Sequence, residues 1–389
     1  MTKLAIISSH PIQYNAPMFK MLAENKKIQI RVFYTWGTDA IREKFDPGFQ
    51  RTIKWDIPLL QGYDHVFVEN ISLDPGSHHF NGIVNPGLIK DIESWGADAV
   101  LVFGWSFHSH LKAMRHFKGK IPVYFRGDST MLDNIGIIKK LTRLIFLRWV
   151  YRYIDAALYV GEANKSYFKN HGVKEEQLFF APHAIDNDRF APDSEKIDQA
   201  LKIKMELGIE PDALVFLYAG KFEEKKGPMN LLNAFFHLKS SSSHLILVGN
   251  GVLEEKLKLM AADHPRVHFM DFQNQSVMPA IYQLCDVFIL PSEGPGDTWG
   301  LVVNEAMAAG KAVIVSHVCG CANNLIHVEK NGYVFMSGNE KQLKEKMQKF
   351  CDDPSLALRF GKVGQEIIKY YSFFQVCRAI ENMVLGKGE

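Results

Sequence analysis

Two clusters of charged side chains stand out by residue type and position. The run KFEEKKG follows the strand-like stretch ALVFLYAG and sets Lys221, Lys225 and Lys226 between Gly220 and Gly227. Lysine supplies a mobile point charge and glycine admits close backbone approach, so the run suits an anionic group such as a diphosphate. Glu223 and Glu224 in the same run leave open the plainer reading of a solvated charged loop. The second cluster lies in PSEGPGDTWGLVVNEAMAAGKAV, from Pro291 to Val313, and contains Glu293, Asp297 and Glu305. This stretch begins as a Gly/Pro-broken loop after DVFILPS and continues as a small-residue apolar helix that stops at Gly310. The first turn of such a helix offers unpaired N–H groups and the positive end of the dipole, an anion site. Asp297 near that start can be read as an N-cap. Glu305 falls inside the apolar helix, where a buried carboxylate needs partners; ribose hydroxyls would serve.

Asp297 and Glu305 are eight residues apart. At about 1.5 Å of rise per residue they lie up to about 12 Å apart, against about 5–9.5 Å for hydrolytic carboxylate pairs. Side-chain reach can narrow that gap, but the longer span suits two ends of one extended ligand. One acid would then hold a ribose and the other a sugar, with the diphosphate between them on the helix start.

Other candidates also follow strands. In IPVYFRGDST, Arg126 and Asp128 sit at a strand end, either as an internal ion pair fixing the loop or as ligands for a substrate. In SSHPIQYNAP, the residues His10, Gln13, Tyr14 and Asn15 follow the first strand-like run, and prolines 11 and 17 stiffen the loop. Histidines 78, 79, 108 and 110 suggest a metal, but no third ligand is evident, so they read as surface or loop residues. The five cysteines (285, 319, 321, 351 and 377) include no C-x-x-C. That disfavours a disulfide framework or a zinc site and fits a reducing cytoplasm. Cys-Gly-Cys at 319–321 invites a redox reading, but small buried residues in a tight turn are preferred.

The elements that must position these residues alternate along the chain. KLAIISS, IQIRVFYTW, ADAVLVFGW, PVYFRGD and DAALYVG are short apolar runs, several separated by helical patterns. The alternation restarts with ALVFLYAG, SHLILVGNG, RVHFMDF, DVFILPS and KAVIVS. This predicts parallel sheets covered on both faces. A chain of 389 residues is long for one core and predicts two domains. The expected boundaries are 1–192 for an N-terminal domain, 193–368 for a second domain, and 369–389 for a C-terminal helix returning toward the first. Two such domains would face each other across a cleft, with ligands at the carboxyl ends of the strands. A net charge of +2 excludes the strongly basic balance of a nucleic-acid binder. MTKLAIISSH lacks the form of a signal peptide. Arg148 and Arg152 interrupt the most apolar long segment, which argues against a membrane span.

The C-terminal half resembles the retaining glycosyltransferases of family 4, which have the GT-B fold. GKFEEKKG is similar to that family's G-R/K-x4-K-G element, and DTWGLVVNE to its E-x7-E element, with Asp297 in place of the first glutamate. AAGKAVIVSHVCGCANNLIHVEKNGYVF and FAPHAIDNDRF also look like family segments, the latter with His183 at a usual asparagine. The resemblance implies that Lys221 and Lys226, assisted by Lys225, stabilise the diphosphate. It implies that Glu305 holds the ribose, that Asp297 contacts the transferred sugar, and that the backbone at Gly300, Leu301 and Val302 completes the phosphate cradle. Arg126 stands where relatives often carry a histidine near the reacting sugar. No metal ion or other cofactor is implied. The expected activity is transfer from a nucleoside-diphosphate sugar, with UDP preferred, to a glycan or lipid-linked saccharide in cell-surface polysaccharide synthesis. A nucleotide-sugar epimerase of the same architecture and a catalytically idle sugar-nucleotide binder are the alternatives. The segment 136–154 mixes Lys139, Lys140, Arg143, Arg148 and Arg152 with apolar residues. It reads as a domain helix that can also touch an anionic membrane, which would place a cytoplasmic protein at the inner face.

Overall fold

The computed structural model describes residues 1–41, 44–132, 136–262, 264–294 and 297–387. In chain order the strands of the first half are β1 (Lys3–Ser8), β2 (Gln29–Tyr34), β3 (Lys44–Asp46), β4 (Arg51–Ile53), β5 (His65–Phe67), β6 (Ala99–Phe103), β7 (Val123–Arg126), β8 (Ala156–Tyr159) and β9 (Leu178–Phe180). Those of the second half are β10 (Val215–Ala219), β11 (His244–Val248), β12 (Val267–Met270), β13 (Val287–Leu290), β14 (Ala312–Ser316) and β15 (Gly332–Phe335).

Two compact units result. The first takes Met1–Arg42, Pro58–His183 and Phe373–Glu389; the second takes Glu43–Ile57 and Ala184–Ser372. The first unit holds a parallel sheet in the order β5-β2-β1-β6-β7-β8-β9, and the second a parallel sheet in the order β12-β11-β10-β13-β14-β15. Central strands such as VFLYA and AVIVS are buried at every position. That is why they read as unbroken apolar runs rather than alternating ones: helices cover both faces. In each sheet the strand order reverses once, between β1 and β6 and between β10 and β13. Such a reversal opens a crevice at the carboxyl ends of the two strands.

The second unit's core packs Phe216, Phe235, Ile289, Ile314 and Phe350 beneath this edge, and Phe125, Val102, Met114 and Phe168 do the same in the first. Each such side chain contributes about 1.5–3 kcal/mol by leaving water, which gives the strand-end loops a rigid base. The closing helix, Phe373–Val384, belongs to the first unit. Its Glu381, nearly buried, accepts from Asn25 Nδ2 and Lys27 Nζ, each at 2.7 Å.

Two features depart from the sequence-based boundaries. The chain enters the second unit at 184 rather than 193 and leaves it at 372. A short antiparallel hairpin, β3–β4, also joins the second unit although it lies between strands of the first. Its strands are three residues each, too short for a periodic pattern to announce them.

Candidate functional site

The loops after β10 and β13 flank the strand-order reversal of the second sheet, and they interlock. Glu293 N donates to Lys225 O at 2.9 Å. Gly227 has φ 68° and lies so close to the Pro291 carbonyl that a Cβ there would collide with it. Only glycine fits, because it tolerates both the left-handed backbone and the contact. Asp297 lies between the loops with its side chain 11% exposed. One carboxylate oxygen accepts from Lys226 Nζ and the other from Ser292 Oγ. The N-cap position of the helix Leu301–Ala308 falls to Gly300 (φ 98°) and not to Asp297. Residues 295 and 296 of this stretch lie outside the described residues. Glu293 takes another role: Asn230 Nδ2 donates to it at 2.6 Å, and burial together with the Glu224 charge pushes its carboxyl pKa up.

The Leu301–Ala308 helix starts at this point, so the N–H groups of Leu301 and Val302 belong to the turn without intrahelical partners. One turn further on, Glu305 is 2% exposed and its Oε2 accepts from Tyr282 Oη at 2.7 Å. Tyr282 is itself fully buried, against Phe190 and Phe288. The neighbouring Asn304 accepts from Trp299 Nε1 at 2.8 Å, which ties the loop to the helix. Sequence reasoning named Glu305 but not Tyr282, because a tyrosine inside VMPAIYQLC carries no mark of its partner. Cys319 and Cys321 are buried, and a Cβ at Gly320 would collide with the Thr298 carbonyl. The segment is a tight turn backing the Asp297–Trp299 loop, with Gly320 N and Cys321 N donating to Asp297 O and Trp299 O. Burial raises the Cys319 thiol pKa, which keeps it in its unreactive form.

The hairpin supplies a further charged residue. Lys221 Nζ reaches both oxygens of Asp46, at 2.8 and 3.1 Å, and lies over the Phe49 ring at 5.0 Å. Burial pushes the Asp46 carboxyl pKa up, but hydrogen bonds from Lys221, Phe49 N and Gly48 N outweigh it and hold the pKa below its usual value. Arg51 anchors the second strand: it donates to Asn250 Oδ1 at 2.9 Å and lies over Phe272. Lys225 pairs with Glu223 at 2.8 Å. Each of the three lysines therefore has a carboxylate partner.

In the first unit the candidates are arranged differently. Arg126 ends β7, is 7% exposed, and donates from its two terminal nitrogens to Ala181 O (2.8 Å) and Pro182 O (3.0 Å). Burial lowers its pKa to about 10, opposed by the Asp128 charge. This guanidinium holds the segment after β9, a structural role of the kind the sequence left open beside substrate contact. Asp128 lies 3.5 Å from His183 Nε2. His10 meets Ser9 Oγ at 2.9 Å and packs edge-on against Trp36 at 5.3 Å. Asn15 is the N-cap residue of the helix Ala16–Glu24 and makes no side-chain cap bond, and Gln13 and Tyr14 precede it, each half-buried. His110 is fully buried between Thr35 Oγ1 and Gly104 O, both at 2.8 Å.

Residues 200–367 match the family described as Glycosyl transferases group 1. The second unit carries a group 1 glycosyltransferase domain. The lysine loop, Asp297 and Glu305 all lie within the matched range of that domain. The chain is 26% identical over 262 residues to the N,N'-diacetylbacillosaminyl-diphospho-undecaprenol alpha-1,3-N-acetylgalactosaminyltransferase of Campylobacter jejuni, a match covering 64% of this chain and 67% of that protein. It is 25% identical over 322 residues to a sulfoquinovosyl transferase of Arabidopsis thaliana, covering 77% and 58%. The match thus spans less than two thirds of the Arabidopsis protein. Anabaena HepE, solved in complex with UDP, superimposes with a TM-score of 0.73 at 17% identity, over 99% of this chain and all of that one. At that identity the likeness shows the fold: the two Rossmann-like units are those of the GT-B class.

Proposed function

We propose that the protein is a retaining glycosyltransferase of the family 4 type. It moves a sugar from a nucleoside-diphosphate donor, with UDP as the nucleotide, to a glycan or lipid-linked saccharide in cell-surface polysaccharide synthesis. The observation that carries this reading is the convergence of Lys226, Asp297 and the start of the Leu301–Ala308 helix at the strand-order reversal of a group 1 glycosyltransferase domain. The UDP complex of HepE and the diphospho-undecaprenol in the Campylobacter relative's name support the donor and acceptor classes.

The residues divide the work by chemistry. Lys221 and Lys226 exchange their carboxylate partners for diphosphate oxygens, with Lys225 at the rim. The backbone at Gly300, Leu301 and Val302 adds N–H groups. Together they neutralise charge as the anomeric C–O bond to phosphate breaks. The electron pair goes to the phosphate oxygen, and that oxygen takes the proton of the acceptor hydroxyl attacking from the same face. Asp297, freed from Lys226, receives hydroxyls of the transferred sugar, and Glu305 with Tyr282 behind it receives the ribose. In this reading cationic side chains and the helix end carry the positive charge, and no metal ion is assigned to the donor site.

Membrane contact is part of the proposal. No helix among the described residues is long and apolar enough to cross a membrane. The helix Ile137–Tyr151, however, exposes Ile137 (77%), Ile138 (81%), Leu141 (54%) and Ile145 (71%) along one arc. It also carries Lys139, Lys140, Arg143 and Arg148. Apolar insertion plus basic charge suits the anionic inner face of a membrane, where a lipid-linked acceptor resides.

A panel of UDP- and GDP-sugars tested by thermal shift and calorimetry, on the wild type, Lys226→Ala and Glu305→Ala, decides the donor reading. One UDP-sugar is expected to stabilise the wild type, and both variants to lose most of that response. An absence of stabilisation by every sugar nucleotide, or equal responses from the variants, overturns it.

A further inference from the structure

The loop between β5 and the 3-10 turn Phe80–Gly82 contains SLDPGSHH, and its geometry supplies what the sequence did not: a third ligand beside two adjacent histidines. Asp74 Oδ2 lies 3.3 Å from His78 Nε2 and 3.2 Å from His79 Nε2. All three ligand atoms fall within 4.8 Å of one another, the single such grouping among the described residues.

The loop is internally pinned. The Asn70 carboxamide accepts from Ser72 N (3.1 Å) and Val84 N (2.9 Å) and donates to Gly82 O (2.9 Å). Ser72 Oγ donates to Asn81 O at 2.7 Å and accepts from Asp74 N at 3.2 Å. A Cβ at Gly76 would collide with the His78 imidazole, and one at Gly82 with the Gly76 carbonyl. Glycine at 82 thus admits the Gly76 carbonyl, and glycine at 76 leaves room for the His78 ring where it stands beside Asp74.

We propose that Asp74, His78 and His79 bind a transition-metal ion, with Zn²⁺ the best fit. In a tetrahedral zinc site with bonds of about 2.0–2.1 Å, neighbouring ligand atoms lie about 3.3–3.4 Å apart. Two of the three separations here already approach that length. Imidazole with carboxylate suits zinc and its first-row neighbours and disfavours Mg²⁺ and Ca²⁺, which take oxygen. Asp74 and His78 are largely exposed, which leaves an entry path and a fourth position for water. His79 Nε2 also lies 3.0 Å from the Asp74 carbonyl oxygen, the contact of an N–H donor. Metal binding therefore requires the His79 tautomer with its proton on Nδ1, and acid that protonates the imidazoles must release the ion. The ion would clasp a loop of the first unit, and it takes no part in holding the donor diphosphate.

The test is a Zn²⁺ titration of the full chain at about pH 7.5, where histidine is mostly neutral, read by calorimetry and by the histidine Cε1–H signals in NMR. One equivalent is expected, with the His78 and His79 signals shifting. Asp74→Asn and His78→Ala should each lower affinity at least about tenfold, as loss of a ligand or its support commonly does. His116→Ala, which removes a partly exposed histidine paired with Glu93, should bind like the wild type. Thermal melts in EDTA should be equal for all four proteins, which separates metal loss from misfolding. If a variant melts early, the wild-type histidine signals decide alone. Absence of stoichiometric binding, binding that the Asp74 and His78 variants retain, or histidine signals unmoved by zinc overturns the proposal.

Discussion

The carboxyl end of β7 in the first unit and the loop after β10 in the second both lie at the ends of parallel strands and both carry cations. They differ in what the cations meet. Lys221, Lys225 and Lys226 face carboxylates, and their side chains are 30%, 52% and 23% exposed. Arg126 is nearly buried and its donors face two backbone carbonyls. A partly hydrated ion pair can trade its carboxylate for a phosphate oxygen at small cost. A buried guanidinium cannot turn away without leaving two carbonyls unpaired, which costs about 1–3 kcal/mol each. Charge at a strand end is thus available for a ligand in one unit and committed to architecture in the other.

Four substitutions test that contrast. Lys226→Ala should have the largest effect, a loss of about 10²–10³ in kcat/KM, the usual cost of removing one group that stabilises developing charge. Steady-state transfer assays check it, and near-normal turnover would remove Lys226 from the site. Arg126→Ala should destabilise the fold by about 3 kcal/mol, through lost charged hydrogen bonds and unpaired carbonyls, while UDP affinity stays within error. A fall in affinity that outpaces the fall in melting temperature would erase the difference between the units. Asp46→Asn should tighten UDP binding by up to about tenfold, since removing a carboxylate from a cation is worth on the order of 1 kcal/mol at a partly exposed site; weaker binding in calorimetry would make Asp46 a support for Lys221 instead of a competitor. The Asp46 carboxyl is lowered in the folded state. Its contribution is therefore complete above the ordinary carboxyl range near about pH 4 and is lost as pH falls through the lowered value. UDP affinity should accordingly show no Asp46-dependent change from about pH 6 to 9. Tyr282→Phe should have the smallest effect, about 1 kcal/mol in stability for one buried hydrogen bond, with a fewfold weaker donor response because Glu305 loses its backing. Denaturant melts and the thermal-shift panel together measure it.

The residues proposed for the donor side were legible because their chemistry is local. Lysines between glycines after a buried strand, and acids at fixed spacing around a helix start, announce themselves within about ten residues of chain. The same holds for the parallel sheets, whose strands are apolar on both faces and so appear as unbroken runs. Partners far apart in sequence left no such trace. Asp46 meets Lys221 across 175 residues, Lys226 meets Asp297 across 71, and Tyr282 meets Glu305 across 23.

Arg126 shows the limit most clearly. Its position at a strand end left an internal structural role and a ligand contact both open, and its bonds to two carbonyls 55 and 56 residues away exist only once β9 lies beside β8. The histidine pair at 78–79 shows it in the opposite sense, since Asp74 becomes a third ligand only when the loop turns at Gly76. The sequence by itself determined the alternation of elements and which residues could bear charge at the carboxyl edge, while the strand order, with its two reversals, came from the fold. The tertiary structure alone decided which charge faces which. Hydrophobic pattern repeats along the chain with a fixed period, whereas pairing of polar groups depends on separations of a few ångströms between segments that packing brings together.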